Sequence, residues 1–356
     1  MKVAIYTPYL DIFGGGERYM MTIAQILSKY SVDILLDIHL YNLNLRALKK
    51  NLEERFNLNL SKIEFKKAPL GKNSNLIERL IFLSNYDLLF YLTDGSIFYP
   101  TAKKNILHIQ SPLIGQPAKS LWGKIKLSGW DLIIYNSKFT LENSKNNWPK
   151  KSEVIYPPVK IDEIKPLEKK KYILSVGRFF GYLRDKKHQV LIETFKKISK
   201  NKKAKGWSLH LVGSASLGDQ EYIDELKKIA KGFPINFYPN LKYDELIKLY
   251  GQSSIYWHAL GFGETDPTKM EHFGISTVEA MAGGCVPVVI GQGGQTEIIE
   301  EGKSGLLWNN LDKLEKFTYT LINNAEFQKE LASKARERAK KFSQEEFVEK
   351  INDLIK

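Results

Sequence analysis

Two glutamates, Glu271 and Glu279, are separated by seven residues in the stretch MEHFGISTVEAMAGGCVPVV, residues 270–289. This stretch leads into an apolar segment, and burying an unpaired carboxylate beside apolar groups costs a great deal of free energy. The two carboxylates are therefore expected to pair with something, and the partner decides the chemistry. Simple solvation at the surface is the competing interpretation.

The turn between the two glutamates precedes a short predicted helix, with Ser276 or Thr277 as its N-terminal cap. The first N–H groups of a helix have no intrahelical acceptor and favour an anion such as phosphate. Glu279, one turn into the helix, is expected to accept hydrogen bonds from two ribose hydroxyls, and Glu271 is expected to reach a sugar. The predicted backbone contacts to the ligand are at Gly274, Ile275, Ser276 and Thr277.

Two cations stand in the stretch SVGRFFGYLRDKKHQVL, residues 175–191. Arg178 ends a predicted strand and Lys186 lies at the start of the next predicted helix. Together they could neutralise a diphosphate and stabilise the charge that develops when a nucleotide leaves. Because basic loop residues are usually solvated, this interpretation depends on the glutamates supplying the other wall of the site.

A glycine-rich stretch, FGGGERY, follows the first predicted strand and opens a helix. Its glycines, among them Gly15 and Gly16, leave backbone N–H groups free to approach an anion or a sugar oxygen. It is not the dinucleotide-binding fingerprint, because Arg18 and Tyr19 stand where the third glycine should come. A tight structural turn is the alternative.

Two further candidates lie after predicted strands. A second glycine-rich turn, GQGGQTEIIEEGKSGLLW, contains Glu297, and its glycines would let the main chain pass close to a flat ligand such as a base. His108 terminates the predicted strand in NILHIQSP and is expected to point into the ligand site. A structural hydrogen bond is the alternative for a lone histidine.

Strands that alternate with helices must position these residues. Both halves of the chain follow this pattern, which predicts an α/β protein with two doubly wound, Rossmann-like parallel sheets facing across a cleft. Three prolines and a run of charges in residues 156–171 mark the connection. The predicted domains are residues 1–158 for the acceptor and 159–342 for a nucleotide sugar. A final predicted helix at 343–356, with Ser343 as its N-terminal cap and Glu346 three residues later, packs back toward the first domain.

Composition supports an ordinary globular enzyme. The 356 residues include 43% hydrophobic and 26% charged side chains and one cysteine, Cys285, which we expect to be a small core residue. The amino terminus has no signal-peptide pattern, and no apolar run is long enough to span a bilayer, so we expect a cytoplasmic protein with at most peripheral membrane contact.

The net charge of +13 is uneven, since residues 101–150 carry eight basic and two acidic side chains. Within this region, AKSLWGKIKLSGW at 118–130 sets tryptophans and lysines together, as in the headgroup layer of a membrane. Trp122, Lys124, Lys126 and Trp130 are the predicted membrane contacts. A basic surface loop with one buried face is the alternative.

Together these residues resemble the GT-B glycosyltransferases of the large retaining family 4, over nearly the whole chain. The stretch HALGFGETDPTKMEHFGISTVEAMAGGCVPVV is similar to α-mannosyltransferases that extend lipid-linked oligosaccharides, which also carry a GGGER loop near the start. The spacing of Glu271 and Glu279 is the most specific mark of the family. The loop from Arg178 to Lys186 is longer than in many relatives.

The resemblance implies that Glu279 binds the donor ribose, that Glu271 touches the donor sugar, and that Arg178 and Lys186 hold the diphosphate. It also implies transfer with retention by same-face attack assisted by the leaving phosphate, rather than the two-carboxylate chemistry of a glycosidase. No divalent metal is expected, because cations take its place at the diphosphate.

For the other candidates the resemblance implies less direct roles. Gly15 and Gly16 approach the phosphate or the acceptor, His108 lies beside the transferred sugar, and Glu297 helps to position the loop near the base.

The resulting hypothesis is a hexosyltransferase on the cytoplasmic face of a membrane, which moves mannose from GDP-mannose onto a polyprenyl-linked glycan. One alternative is a glucosyltransferase that uses UDP-glucose on a soluble or lipid acceptor. A second is an inactive GT-B scaffold that binds nucleic acid or anionic lipid, although the intact glutamates and cations argue against it and no nucleic acid is expected. A nucleotide-sugar epimerase of the same architecture lacks the glutamate pair.

Overall fold

The structure is a computed structural model that describes residues 1–71, 74–115, 117 and 119–356. The chain divides into two compact units. The first unit combines Met1–Pro158 with Phe347–Lys356, and the second is Val159–Glu346.

The first unit is a parallel sheet with helices between its strands. In the described part of the chain its strands are β1 (Lys2–Tyr6), β2 (Ser31–Leu36), β3 (Glu64–Lys67), β4 (Leu88–Leu92), β5 (Lys104–Ile109), β6 (Leu132–Tyr135) and β7 (Ser152–Val154). The helices are α1 (Gly15–Ile26), α2 (Ile38–Tyr41), α3 (Leu45–Phe56), α4 (Leu76–Leu83), α5 (Leu121–Ser128) and α6 (Lys138–Ser144). The strand order is β3-β2-β1-β4-β5-β6-β7, and each neighbouring pair is parallel.

The second unit repeats this arrangement. Its strands are β8 (Lys170–Val176), β9 (Ser208–Gly213), β10 (Ile235–Pro239), β11 (Ser253–His258), β12 (Val286–Ile290) and β13 (Leu306–Trp308). Its helices are α7 (His188–Ser199), α8 (Gln220–Ala230), α9 (Tyr243–Gln252), α10 (Ile275–Ala282), α11 (Gln295–Ile298), α12 (Leu311–Asn323) and α13 (Ala325–Ala339). The last helix, α14 (Gln344–Ile355), belongs to the first unit from Phe347 onward. The strand order is β10-β9-β8-β11-β12-β13, again parallel throughout.

Both faces of the first sheet are covered by apolar side chains. Along β1, Val3 and Ile5 belong to one buried cluster, whereas Ala4 and Tyr6 belong to another. Successive side chains of a strand point to opposite faces, so a strand buried on both faces reads as a continuous apolar run. This explains why KVAIY contains almost no polar residue after Lys2.

The last helix, α14, begins where the sequence indicates. The Ser343 hydroxyl accepts a hydrogen bond from the Glu346 N–H at 3.3 Å, as predicted for an N-terminal cap. Further along α14, Phe347 packs edge-on against Tyr19 of α1 at 4.8 Å between ring centroids, and Ile351 is fully buried in the same cluster. The end of the helix therefore completes the core of the first unit.

Each sheet has one point at which the strand order reverses. In the first unit it lies between β1 and β4, and in the second between β8 and β11. Connections leave the sheet in opposite directions there, which opens a crevice beyond the carboxyl ends of the strands where ligands bind. The glycine loop before α1 follows β1, Lys186 lies between β8 and α7, and Glu271 follows β11. The candidate residues therefore gather at these two points.

Candidate functional site

The central feature of the second unit is a buried cluster of three polar side chains. Lys186 Nζ lies 3.0 Å from Glu271 Oε2, and His258 Nε2 lies 2.9 Å from the same oxygen. The Lys186 and Glu271 side chains are each 18% exposed, and the His258 side chain is 2% exposed. The partner expected for Glu271 is thus supplied by β11 and by the segment before α7.

Burial and pairing oppose each other in setting the charge of this cluster. Burial raises the pKa of Glu271, but the Lys186 ammonium and the His258 hydrogen bond outweigh it and hold that pKa well below its usual value. Burial lowers the pKa of His258, against the opposing effect of Glu271. At neutral pH the cluster therefore contains an ionised carboxylate, a charged lysine and a neutral imidazole.

The backbone of Glu271 is held by the glycine turn after β12. Gly294 N donates to Glu271 O at 2.7 Å, and a Cβ on Gly293 would lie 2.3 Å from the same oxygen. A Cβ on Gly294 would lie 2.5 Å from the Cα of Phe273. The sequence predicted that these glycines approach a flat ligand, and in the structure the close approach that they permit is to residues 271–273. Glu297 follows in α11, where its carbonyl accepts from Arg338 at 2.8 Å.

The start of α10 differs from the sequence prediction. Gly274 is the N-terminal cap residue, with φ of +121°, and no side chain caps the helix. Ser276 instead accepts a hydrogen bond from the Tyr256 hydroxyl at 2.8 Å, and Thr277 is fully buried. Ile275 is thus the first helical residue. Thr277 N donates to Gly274 O at 3.0 Å, whereas the N–H groups of Ile275 and Ser276 have no acceptor among the described residues and are left for an anion.

Glu279 lies one turn into α10 and is 8% exposed. The hydroxyl of Tyr250 donates to its Oε2 at 3.0 Å. Burial and the neighbouring Glu279 carboxylate raise the pKa of Tyr250 well above its usual value, so the phenol keeps its proton and remains a donor. This bond fixes the carboxylate beside the open end of α10.

Arg178 is the exposed cation of the site. It follows β8, and its guanidinium lies 4.4 Å from the centroid of the Phe180 ring. The guanidinium group is planar, so a guanidinium stacked on a ring directs its N–H groups outward in its own plane. They can then form two parallel hydrogen bonds to a phosphate. The two predicted cations therefore have different partners, since Lys186 is paired with a carboxylate and Arg178 is stacked on an aromatic ring.

In the first unit, the glycine loop opens α1 as predicted. Gly14 is the cap residue, and its N–H donates to the Glu17 carboxylate at 2.8 Å. Gly15 is exposed, whereas Gly16 is buried. A Cβ on Gly16 would lie 2.1 Å from Oε1 of Gln110, the first residue after β5. The side chain that faces this loop from β5 is therefore that of Gln110.

His108 does not point out of the sheet edge, so that prediction is wrong. Its side chain is fully buried, its ring stacks on Tyr19 with centroids 4.0 Å apart, and its Nδ1 lies 3.2 Å from the carbonyl oxygen of Ile134. Burial lowers the pKa of His108 to about 3, so the ring is neutral. The alternative of a structural histidine fits this environment.

The predicted membrane segment divides into an inner and an outer face. Trp130 is fully buried and its indole N–H donates to Phe98 O at 3.1 Å, so the prediction that it contacts a membrane is wrong. Trp122 is 73% exposed in α5, beside the exposed Lys124 and Lys126. Ala118 lies outside the described residues. Among the residues described, no helix combines the length and apolarity needed to cross a bilayer.

Sequence reasoning missed His258, Gln110 and Tyr250. His258 ends its strand in SIYWHA, so the argument that singled out His108 applied equally to His258. Gln110 stands two residues after His108, which was chosen in its place. The pairing of Tyr250 with Glu279 joins α9 to α10 and had no signal in the local pattern.

Comparison with known families decides the class of protein. Residues 159–342 match the family model described as glycosyl transferases group 1, which covers more than half of the chain. The protein is a group 1 glycosyltransferase. This confirms the resemblance seen in the sequence, and residues 159–342 contain the second sheet and both glutamates.

Two similar proteins have the same name, GDP-Man:Man(3)GlcNAc(2)-PP-Dol alpha-1,2-mannosyltransferase. The mouse protein is 24% identical to this glycosyltransferase, over 97% of the chain and 84% of the mouse protein. The Dictyostelium discoideum protein is 25% identical over 63% of the chain, and the match spans 47% of that protein, about half of its length.

Solved structures confirm the GT-B fold of this glycosyltransferase. A glycosyltransferase from Rickettsia africae superposes with a TM-score of 0.74 at 18% identity, over 99% of this chain and 97% of the other. HepE from Anabaena, in complex with UDP and glucose, superposes with a TM-score of 0.69 at 17% identity, over 100% and 99% of the two chains. Two doubly wound Rossmann-like domains are thus the shared architecture.

Proposed function

We propose that this glycosyltransferase moves mannose from GDP-mannose onto a polyprenyl-linked glycan, with retention of configuration at the anomeric carbon. In this reaction the bond from the anomeric carbon to the diphosphate breaks, and a bond to an acceptor hydroxyl oxygen forms. The acceptor proton passes to the leaving phosphate. The names of the related mouse and Dictyostelium proteins support this choice of donor and acceptor.

The cluster of Lys186, Glu271 and His258 is the observation that carries the proposal. It lies where the strand order of the second sheet reverses, at the position that binds ligands in open α/β sheets. Its low pKa keeps Glu271 ionised, so Glu271 is a hydrogen-bond acceptor for sugar hydroxyls and not a proton donor. That role agrees with transfer by same-face attack, in which no protein carboxylate has to act as an acid.

The start of α10 provides the remainder of the donor site. The open N–H groups at Ile275 and Ser276 favour a phosphate, and the positive end of the helix dipole adds to the attraction. Glu279, held by Tyr250, is placed to accept from ribose hydroxyls. The Arg178 guanidinium supplies the charge for the diphosphate, so we propose that no divalent metal is needed.

We propose that the first unit binds the acceptor. A pocket of about 730 Å³ opens beyond the ends of β2 and β3, a volume within the range of small-molecule sites. The carboxylates of Asp37 and Glu78, the His39 imidazole and the Phe82 ring are among the groups that line it. Carboxylates that accept from hydroxyls, together with a ring for stacking, suit a sugar of the acceptor glycan.

We propose that helix α5 holds the enzyme at the cytoplasmic face of the membrane. Leu121, Trp122 and Ile125 are exposed on this helix, although their side chains are apolar. No acidic residue occurs in residues 101–130, which contain five lysines. Exposed apolar side chains beside lysines favour the boundary between anionic headgroups and acyl chains.

Calorimetric titration tests the donor assignment. The wild-type protein, in buffer with EDTA, is titrated with GDP, GDP-mannose, UDP and UDP-glucose, and the titrations are repeated on Glu279→Ala. We expect the wild type to bind the guanine pair and the variant to bind it about tenfold or more weakly, because two ribose hydroxyls lose their acceptor. Glu221→Ala, at an exposed position of α8, is the matched control.

Each other result contradicts a different part of the proposal. Preference for UDP and UDP-glucose would make the protein a glucosyltransferase instead. Binding that appears only when a divalent metal replaces EDTA would contradict the metal-free diphosphate site. No binding of any nucleotide would overturn the function as a whole.

A further inference from the structure

We infer that His258 is a positioning residue for the donor sugar, which fixes the Glu271 carboxylate in the orientation that a sugar hydroxyl requires. This inference rests on the proposed function, since it assigns His258 a task within the same donor site. His258 is the last residue of β11 and is almost fully buried. It acts through Glu271 and does not touch the ligand itself.

The two oxygens of Glu271 have different environments. Oε2 accepts from both Lys186 Nζ and His258 Nε2, at 3.0 and 2.9 Å. Within the part of the chain that the structure describes, Oε1 receives no hydrogen bond, and the side chain retains 18% of its surface. One oxygen is therefore anchored to the protein, and the other is presented to solvent or ligand.

Lys186 alone would not define the orientation of this carboxylate. An ammonium group is a compact charge on a flexible stem, and it binds a carboxylate oxygen from many directions. The stem of Lys186 is confined on one side by Gly177, where a Cβ would lie 2.7 Å from Lys186 Cγ. The imidazole of His258 has a rigid ring, and its backbone is paired with Val289 in the sheet. The directional bond therefore comes from β11.

The charge state of His258 fits a positioning task. A neutral imidazole that faces a carboxylate carries its proton on the facing nitrogen, here Nε2. The other nitrogen, Nδ1, is buried and has no hydrogen-bond partner among the described residues. The ring thus orients Glu271 without adding a second positive charge. Lys186 and Glu271 remain a neutral pair beside the diphosphate.

Two substitutions at His258 separate positioning from simple packing. His258→Leu removes the donor at similar volume, and His258→Gln returns an amide N–H near the position of Nε2. We expect His258→Leu to bind GDP as the wild type does but to bind GDP-mannose about tenfold more weakly, and to hydrolyse or transfer it with a lower kcat. His258→Gln is expected to recover most of the affinity for GDP-mannose.

His210→Leu is the matched control. His210 is also a buried histidine of the second sheet, and it bonds to Ser208 and Tyr238 rather than to Glu271. We expect His210→Leu to keep the wild-type ratio of the affinities for GDP and GDP-mannose. Thermal unfolding of each variant shows whether it is folded.

A second measurement does not depend on activity or on the Leu variant folding. The imidazole ¹⁵N resonances of His258 in the wild type are expected to show a proton on Nε2 between about pH 6 and 8, and to shift in Glu271→Gln. A proton on Nδ1 would overturn the inference. So would equal affinities of wild type and His258→Leu for GDP-mannose, or a loss that His258→Gln does not recover.

The outcomes distinguish this inference from the proposed function. If the wild type binds GDP-mannose and His258→Leu binds it equally well, the positioning role of His258 is wrong and the proposed function stands. If the wild type binds no nucleotide at all, the proposed function is wrong, and the role of His258 in the donor site is wrong with it.

Discussion

At the scale of single residues, Gly274 occupies a position where backbone and packing both exclude a side chain. Its φ is +121°, and a Cβ would lie 2.8 Å from Gln295 Nε2 and 3.1 Å from Ile298 Cδ1. Gly274→Ala therefore combines backbone strain with overpacking, and we expect it to lower the free energy of unfolding by about 2–4 kcal/mol. Urea unfolding measures this loss.

Gly232 offers a matched control for the backbone contribution. Its φ is +83°, but a Cβ there would meet nothing within 4 Å. Gly232→Ala should therefore cost about 1 kcal/mol, from the backbone conformation alone. If both variants lose the same free energy of unfolding, the contact with Gln295 does not contribute to the cost of Gly274→Ala.

Residue types and spacing singled out candidate residues but not the partners that these residues have in the structure. The two glutamates were chosen because a carboxylate near an apolar segment requires a partner, whereas Lys186 was predicted to bind a diphosphate and is paired with Glu271 in the structure. The same strand-end argument applied to His108 and to His258, but it singled out only His108, which is buried in the structure. Only packing separates them, since Tyr19 covers the first ring and Glu271 accepts from the second.

At the scale of elements, helix α5 combines a buried inner face with an exposed apolar outer face. Gly123 and Leu127 are buried, whereas Leu121, Trp122 and Ile125 are exposed. Replacing these three exposed residues with serine should release the protein from vesicles that contain anionic lipid, because the apolar area buried in the bilayer is lost. Co-flotation with phosphatidylserine vesicles measures the bound fraction, which we expect to fall about tenfold or more.

The control for α5 replaces apolar residues exposed on a different helix. Leu76, Ile77 and Ile81 are exposed on α4 and are changed to serine in the same way. If this variant loses vesicle binding and the α5 variant keeps it, the membrane surface is assigned to the wrong helix. Both variants should keep their stability, since the altered side chains contribute little to the core.

Element boundaries were predictable where they depend on local chemistry. Ser343 was identified as a cap, and the glycine loop as the start of α1, because caps and glycines act within a few residues. The cap of α10 was not, because Ser276 bonds to Tyr256 and the turn uses Gly274 instead. Trp130 was misplaced for a related reason, since its burial depends on contacts with Phe98 far away in sequence.

At the scale of the whole molecule, the two sheets follow from one rule. Strands that alternate with helices form parallel sheets by right-handed crossovers, and both units show the same reversal of strand order. The sequence pattern therefore predicted two parallel sheets, and the rule for open α/β sheets puts the candidate ligand sites at the carboxyl ends of their strands. It also predicted a final helix at 343–356 that packs back toward the first domain, and the structure adds that Phe347 and Ile351 are the side chains of this helix that are buried in the core of the first unit.

Each unit contains a buried neutral histidine, and this predicts how the molecule responds to acid. Burial lowers the pKa of His108 and of His188 from 6.5 to about 3. Below pH 6.5 these histidines become protonated in the unfolded chain but stay neutral in the folded units. The free energy of unfolding therefore falls as pH falls, by up to about 1.4 kcal/mol per pH unit for each histidine. Urea unfolding between pH 6.5 and 4.5 measures the slope.

The variant His108→Phe tests the contribution of the first unit. It keeps a ring beside Tyr19 and removes the titrating group, so the first unit should lose less stability over this pH range. Identical slopes in wild type and His108→Phe would show that His108 accepts its proton without unfolding.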